Sequence, residues 1–377
     1  GRLSMLKKCM GVINLDENED MILELARNRI LASIPIAGRY RVIDFILSSM
    51  SNAGIENVGI FLKMACRSLT DHLGDGRPWD LNRRVEGIRV FNFSTLEPRV
   101  DDVYSFANNI EYFERSAQEY LLLTSSYMIC NIDFNEVMDF HQQSGNDVTI
   151  VYKHVDDASD NFFLCEMLNL DEDGYVEGIG RNTGTNSEAN ICMEMYLMKK
   201  ALFIEILTEC VTSGRFRKIK NAVYNSLNRY KVRGFEYKGY LSCINSLHAY
   251  YMASMELLNI RVHKQLFLDE RPIYTKTTTE IPAKYLDGNV VKNSMIGNGA
   301  IIEGSVKNSI LFRKVHVGKG ASVNNSIIFQ GAVIGDGSKL NSIIVDKYVD
   351  IEPGKELKGD KNMPFVVNKR RELIREV

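Results

Sequence analysis

The apolar positions near the C-terminal end of the chain repeat. Ile296-Gly297-Asn298-Gly299, Val317-Gly318-Lys319-Gly320, Ile334-Gly335-Asp336-Gly337 and Ile351-Glu352-Pro353-Gly354 share one form, and the last three start 17 residues apart. Six residues after the first apolar position of each stands another: Ile302, Val323, Leu340 and Leu357. One inward aliphatic every six residues marks a parallel β-helix of hexapeptide repeats, and three such steps close a triangular coil of about 18 residues. Asn-Ser precedes an apolar pair four times, at Asn293-Ser294-Met295-Ile296, Asn308-Ser309-Ile310-Leu311, Asn325-Ser326-Ile327-Ile328 and Asn341-Ser342-Ile343-Ile344. The glycines suit corners at which φ must be positive.

The first 265 residues carry a different pattern. Apolar runs at Cys9–Leu15, Val58–Leu62, Tyr120–Leu123, Val148–Tyr152 and Met193–Met198 predict strands. The stretches Asp44–Ala53 and Phe134–Ser144 predict helices, each stopped by a glycine, Gly54 and Gly145. Asp133 stands where an N-cap belongs. Tyr250–Arg261 predicts a long helix, and Pro272 and Pro282 fall in a Thr-rich link. Alternating strands and helices predict an α/β domain with a mostly parallel sheet over residues 1–265, followed by a linker and β-helix over residues 266–377.

Composition narrows the partners. The 377 residues are 45% hydrophobic and 25% charged, enough for two packed cores. A formal charge of −2 argues against a nucleic-acid partner. The basic clusters Arg215–Lys220 and Lys369–Arg371 read as solvated faces, with anion sites as the alternative. No run reaches the ~20 apolar residues that cross a bilayer, and the opening Gly1-Arg2-Leu3-Ser4 lacks the apolar core of a signal peptide. The seven cysteines are dispersed without C-x-x-C spacing, which predicts reduced thiols and a cytoplasmic address rather than a disulfide framework or a zinc site. In the repeat, His316 sits between Val315 and Val317, so alternation turns it outward. Hexapeptide acyltransferases use a histidine base, and a structural role for His316 is the stronger reading.

The segment Ile34-Pro35-Ile36-Ala37-Gly38-Arg39-Tyr40-Arg41-Val42-Ile43-Asp44-Phe45, followed by Asn52-Ala53-Gly54-Ile55, resembles the N-terminal region of ADP-glucose pyrophosphorylases, the glucose-1-phosphate adenylyltransferases. Ser68-Leu69, His72 and Ala249-Tyr250-Tyr251 are similar in the same order, so the likeness spans nearly the whole chain. The resemblance implies a Rossmann-like nucleotidyltransferase domain with a C-terminal left-handed β-helix. It implies an ancestral reaction joining glucose 1-phosphate and ATP into ADP-glucose and pyrophosphate with Mg²⁺, in tetramers under allosteric control.

The chemistry needs a Gly-rich loop around a triphosphate and carboxylates that hold the metal. Here the first strand runs instead into Asp16-Glu17-Asn18-Glu19-Asp20, which reads as a solvated acidic loop. Like charges 4 Å apart repel by about 1 kcal/mol in water and about 4 kcal/mol near a protein surface, so this loop opposes ATP. By the resemblance, a basic residue of the family falls at Leu31, and its two metal-binding aspartates fall near Tyr127 and Cys243. The family's Glu-Lys-Pro element has no counterpart between Gly178 and Asn190. No catalytic residue and no metal site are therefore expected. Arg39, Arg41 and Asp44 read as a charge network, either structural or an anion and effector site.

These losses imply a catalytically deficient, regulatory subunit of glucose-1-phosphate adenylyltransferase in glycogen biosynthesis. Its implied partner is a catalytic homologue in a hetero-oligomer, a tetramer by the resemblance, with homo-oligomers in isolation. Mg²⁺ and ATP then belong to the partner, this chain alone needs no cofactor, and a phosphorylated effector acts on the assembly. Two alternatives stand beside this: a weakly active nucleotidyltransferase using substitute carboxylates, and a protein that senses a sugar phosphate or nucleotide.

Overall fold

A computed structural model describes residues 6–92, 101–279 and 281–369. Gly1–Ser4 and Arg370-Arg371 of the second basic cluster lie outside the described residues. The chain forms two compact units. One takes the chain up to Glu17, Ile43–Cys243 and Leu266–Tyr274; the other takes Asn18–Val42, Ile244–Gln265 and the chain from Thr275 onward.

The first unit is built on a nine-stranded sheet. Its strands are β1 (Cys9–Asn14), β2 (Asn57–Leu62), β3 (Gly87–Asn92), β4 (Tyr120–Thr124), β5 (Val148–Val155), β6 (Glu166–Leu170), β7 (Val176–Arg181), β8 (Ala189–Lys199) and β9 (Val232–Glu236). The order β3-β2-β1-β4 is parallel throughout, with Gly11 beside both Val58 and Leu122. β2 and β4 are buried at every residue, as strands covered on both faces must be, so they read as unbroken apolar runs. β8 joins β4 antiparallel and also pairs with β5 and β6; β9 lies parallel to β5.

A Cβ on Gly11 would meet Met50 Sδ at 2.6 Å, so the glycine lets helix Ile43–Ala53 pack closely over β1. An aromatic cluster forms much of this unit's core. Phe61 stacks on Phe91 and Phe113 at 4.6 and 5.7 Å and meets Phe106 edge-on at 4.9 Å. Helix Phe134–Ser144 is capped by Asp133 Oδ1, which accepts from Asn135 N at 3.0 Å, and is stopped by Gly145 at φ 64°. The helix expected over Tyr250–Arg261 is instead two, Leu247–Glu256 and Ile260–Leu266. Asn259 divides them, its Oδ1 accepting from Arg261 N at 2.9 Å in the manner of a cap.

The second unit contains a left-handed β-helix of hexapeptide repeats, seen as three parallel five-stranded sheets. Its inward files are Ile302, Val317, Ile334 and Ile351 on one face, Val306, Val323, Leu340 and Leu357 on the next, and Ile296, Leu311, Ile328 and Val345 on the third. Ile296 thus belongs to a different face from Val317, although both begin the same Gly-x-Gly motif. The coil from Ile301 to His316 is 15 residues long, against 17 from His316 to Val333, and every corner of the prism poses the same local demand. His316 faces outward between Ile301 and Val333, with Nε2 3.9 Å from Glu303 Oε1.

The two glycines of the Gly-x-Gly motifs answer different needs. Gly299, Gly320, Gly337 and Gly354 have positive φ, whereas a Cβ on Gly297 or Gly335 would strike backbone of the next coil at about 2.5 Å. The Asn-Ser pairs form ladders. Asn293, Asn308 and Asn325 take the left-handed corner at φ 46° to 49°, as asparagine tolerates. Beside them each serine bridges two coils. Ser309 N donates to Ser294 Oγ at 3.1 Å, Ser326 N to Ser309 Oγ at 3.0 Å and Ile343 N to Ser326 Oγ at 3.1 Å. At the fourth coil the register slips by one, and Ser342 rather than Asn341 takes the positive φ.

Ser326 is fully buried and also donates to Asn324 O at 2.8 Å. Ser326→Ala strands the Ile343 N–H and is expected to cost about 1–3 kcal/mol in urea unfolding. Ser294→Ala, at the outer coil, is expected to cost less than about 0.5 kcal/mol by the same measurement.

Candidate functional site

Open α/β sheets bind ligands beyond the carboxyl ends of their parallel strands. β1 and β4, adjacent and parallel, end here in Leu15-Asp16-Glu17 and Ser125-Ser126-Tyr127. The acidic loop expected to be solvated turns inward at its first two residues. Asp16 pairs with Lys63 at 2.6 Å and Lys218 at 3.3 Å. Glu17 is 8% exposed, and its carboxylate accepts from Ser126 Oγ at 2.7 Å, Tyr127 N at 3.1 Å and Ser126 N at 3.2 Å. Backbone amides at such a strand end are natural donors to a ligand anion. Here the chain's own carboxylate takes them.

A second cluster lies beside Thr124. β8 bulges between Cys192 and Tyr196, leaving Glu194 at φ 53°, a backbone state that side-chain-bearing residues rarely adopt. The Glu194 carboxylate accepts from the buried Tyr127 phenol and pairs through Oε1 with Lys220 Nζ at 3.1 Å. Lys220 also pairs with Glu166 Oε1 at 2.8 Å, and Glu166 Oε2 accepts from Tyr224 OH at 2.6 Å. Burial works against the Lys220 ammonium, but Glu194 and Glu166 outweigh it and raise its pKa. Nearby, Asp102 Oδ1 accepts from Ile219 N at 2.8 Å and Oδ2 from Asn14 Nδ2 at 2.9 Å. Burial pushes Asp102 up to about 7, partly offset by the Ile219 N–H.

Lys218 and Lys220 therefore point to carboxylates, whereas Arg215 and Arg217 of the same basic run are exposed, as a solvated face requires. Sequence reasoning missed Glu166, Glu194 and Asp102. They come from separate segments, and the one local signal was the charge run itself.

The two positions expected to have lost metal ligands are brought together. Ser242–Cys243 pairs with Met128–Ile129, Cys243 opposite Met128, the neighbour of Tyr127. Burial, then Cys165, pushes the Cys243 thiol well up. Burial, then Glu194, does the same for the Tyr127 phenol. Mg²⁺ requires a shell of hard oxygen ligands, mainly carboxylates. A protonated thiol and a phenol already donating to Glu194 do not fit it. Among the described residues no group of three His, Cys, Asp or Glu side chains is placed to hold a metal. Leu31 is buried in a 3₁₀ turn, Leu31–Ser33, and its backbone N–H donates to Glu19.

Arg39, Arg41 and Asp44 serve different contacts. Asp44 is fully buried against His72 Nε2 at 2.6 Å. Arg41 donates to Ser33 O at 3.0 Å, and exposed Arg39 lies over the Tyr40 ring at 5.4 Å. Within the second unit, Arg29 pairs with Asp346 at 2.5 Å, both nearly buried. Beside them Lys347 is pushed down to about 7, by burial first and then by Arg41 and Arg29, with Arg313 adding to the effect. Lys347 thus lies in the field of three arginines, and excess positive charge of this kind suits an anion.

Residues 22–163 match the nucleotidyl transferase family, and residues 281–365 match the GlmU-like C-terminal hexapeptide family. The chain is 39% identical over 363 residues to the glycogen biosynthesis protein GlgD of Bacillus subtilis (strain 168), covering 96% of this chain and 95% of that one. It is 40% identical over 369 residues to GlgD of Geobacillus stearothermophilus, covering 97% of each. A glucose-1-phosphate adenylyltransferase from Mycoplasma mobile is 30% identical over 296 residues, 76% of this chain and 77% of that one. Among the described residues no helix is long and apolar enough to cross a membrane. With both domains matched in order and relatives 39–40% identical over nearly the whole chain, the chain belongs to the family that joins the GlgD glycogen biosynthesis proteins to the glucose-1-phosphate adenylyltransferases.

Proposed function

We propose that this chain is a catalytically deficient, regulatory subunit that acts in the cytoplasm on a catalytic glucose-1-phosphate adenylyltransferase homologue in glycogen biosynthesis. The observation that carries the reading is the Glu17 carboxylate on the Ser126 and Tyr127 amides, where an anionic ligand would otherwise be held. Tyr127 and Cys243, in place of carboxylates, support it. In this reading Mg²⁺ and ATP bind the partner, and the two chains form a mixed oligomer, a tetramer by family likeness. A weakly active enzyme using substitute carboxylates is less well supported. Asp16, Glu17 and Asp102 are each committed to internal donors.

The Arg29, Arg41, Arg313 and Lys347 cluster supports a phosphorylated effector as the regulatory signal. An anion there is favoured by a charged Lys347, so binding strengthens as pH falls through about 7. Sulfate keeps its charge over this range and isolates the protein's contribution. Its affinity is expected to rise by up to about tenfold from pH 8 to pH 6 in wild type, and to stay flat in Lys347→Met. Calorimetric titration checks both.

ADP-glucose formation by this chain alone, by a catalytic homologue alone and by the two together tests the main reading. The expected result is no product from this chain alone and a changed rate or effector response in the mixture. An enzyme-like rate from this chain by itself would overturn it.

A further inference from the structure

We propose that Lys220 is a latent phosphate-binding residue and that Glu194 is the built-in mask that withholds it from a sugar phosphate. The inference rests on the reading of this crevice as silent and names the residues that silence it.

Three observations carry it. First, the Lys220 ammonium is held between two carboxylates, Glu166 at 2.8 Å and Glu194 at 3.1 Å, so the trio carries a net negative charge. Such a site repels a phosphate monoester, whereas lysine with one carboxylate would be neutral. Second, each carboxylate is fixed from behind by a phenol, Tyr127 on Glu194 and Tyr224 on Glu166. Third, Glu194 reaches Lys220 from a strand bulge at φ 53°, and its N–H donates to Cys192 Sγ at 3.4 Å. Left-handed backbone at a residue with a side chain persists where the surroundings over-determine it. Here they aim one carboxylate at one lysine.

The lysine is masked rather than sealed. Its side chain is 24% exposed, against 13% for Glu194 and 11% for Glu166. With Glu194 gone, Lys220 keeps its partial exposure and a single carboxylate partner, Glu166. Glycine at position 194 removes the carboxylate and suits the positive φ. The ligand class is the phosphate monoester of a hexose, as in the glucose 1-phosphate of the adenylyltransferase relatives.

The test is calorimetric titration of the full chain with glucose 1-phosphate and, separately, inorganic phosphate. Glu194→Gly is expected to bind glucose 1-phosphate at least tenfold more tightly than wild type, and Glu194→Gly/Lys220→Met is expected to lose the gain. A folded Glu194→Gly that gains nothing, or a double variant that binds as well as the single one, would overturn the proposal. If Glu194→Gly does not fold, Glu194→Gln removes the charge at nearly constant size, and it must show the same Lys220-dependent gain. Wild type binding as tightly as Glu194→Gly would equally sink the mask. None of these results depends on the mixed-subunit assay, so either reading can fail while the other stands.

Discussion

Glu17 ties the carboxyl ends of β1 and β4 together, and the character of the crevice depends on that tie. A buried carboxylate is costly unless it is fully paired. Glu17 meets the demand with two backbone amides and one hydroxyl. Hydrogen bonds to a charged group contribute about 1.5–3 kcal/mol each at the upper end of net values, so the arrangement is a stable filling of the strand ends. It makes the chain its own ligand at the strand ends, where backbone amides could otherwise meet an anion. Asp16 repeats the logic one residue earlier by taking Lys63 and Lys218.

The rest of the crevice follows the same rule, cation by cation. Lys220 goes to Glu166 and Glu194, and Tyr127 donates its phenol to Glu194 while its amide serves Glu17. Tyr127 therefore serves two internal networks. In the other unit, Lys347 feels Arg41, Arg29 and Arg313 against the single carboxylate of Asp346. In the nucleotidyltransferase-like unit the carboxylates and cations near the strand ends are paired with one another, whereas positive charge gathers around Lys347 in the other unit.

What the sequence revealed followed from local demands. Strands buried on both faces, such as Tyr120–Thr124, cannot hide their composition, and corner glycines recur wherever the coil turns. The half-exposed strands Glu166–Leu170 and Val232–Glu236 carry polar residues and glycine, so they left no apolar run to read. In the β-helix the motif at Ile296 looked equivalent to that at Val317 because all three corners of the prism require the same residues. A 15-residue coil hid the offset. Within the site, the apolar or uncharged residues Leu31, Tyr127 and Cys243 could be read from the chain alone. The direction in which Glu17 points could not, since charge along a sequence does not tell whether a carboxylate meets water or a backbone amide.

The central claim is that internal carboxylates have closed the nucleotide crevice. Titration of the isolated chain with ATP, with and without Mg²⁺, tests it most directly. The account predicts no saturable, Mg²⁺-dependent binding even at about millimolar nucleotide, a free energy weaker than about −4 kcal/mol. Saturable Mg²⁺-dependent binding in the micromolar range would contradict it, and would mean that Glu17 yields its amides to a triphosphate.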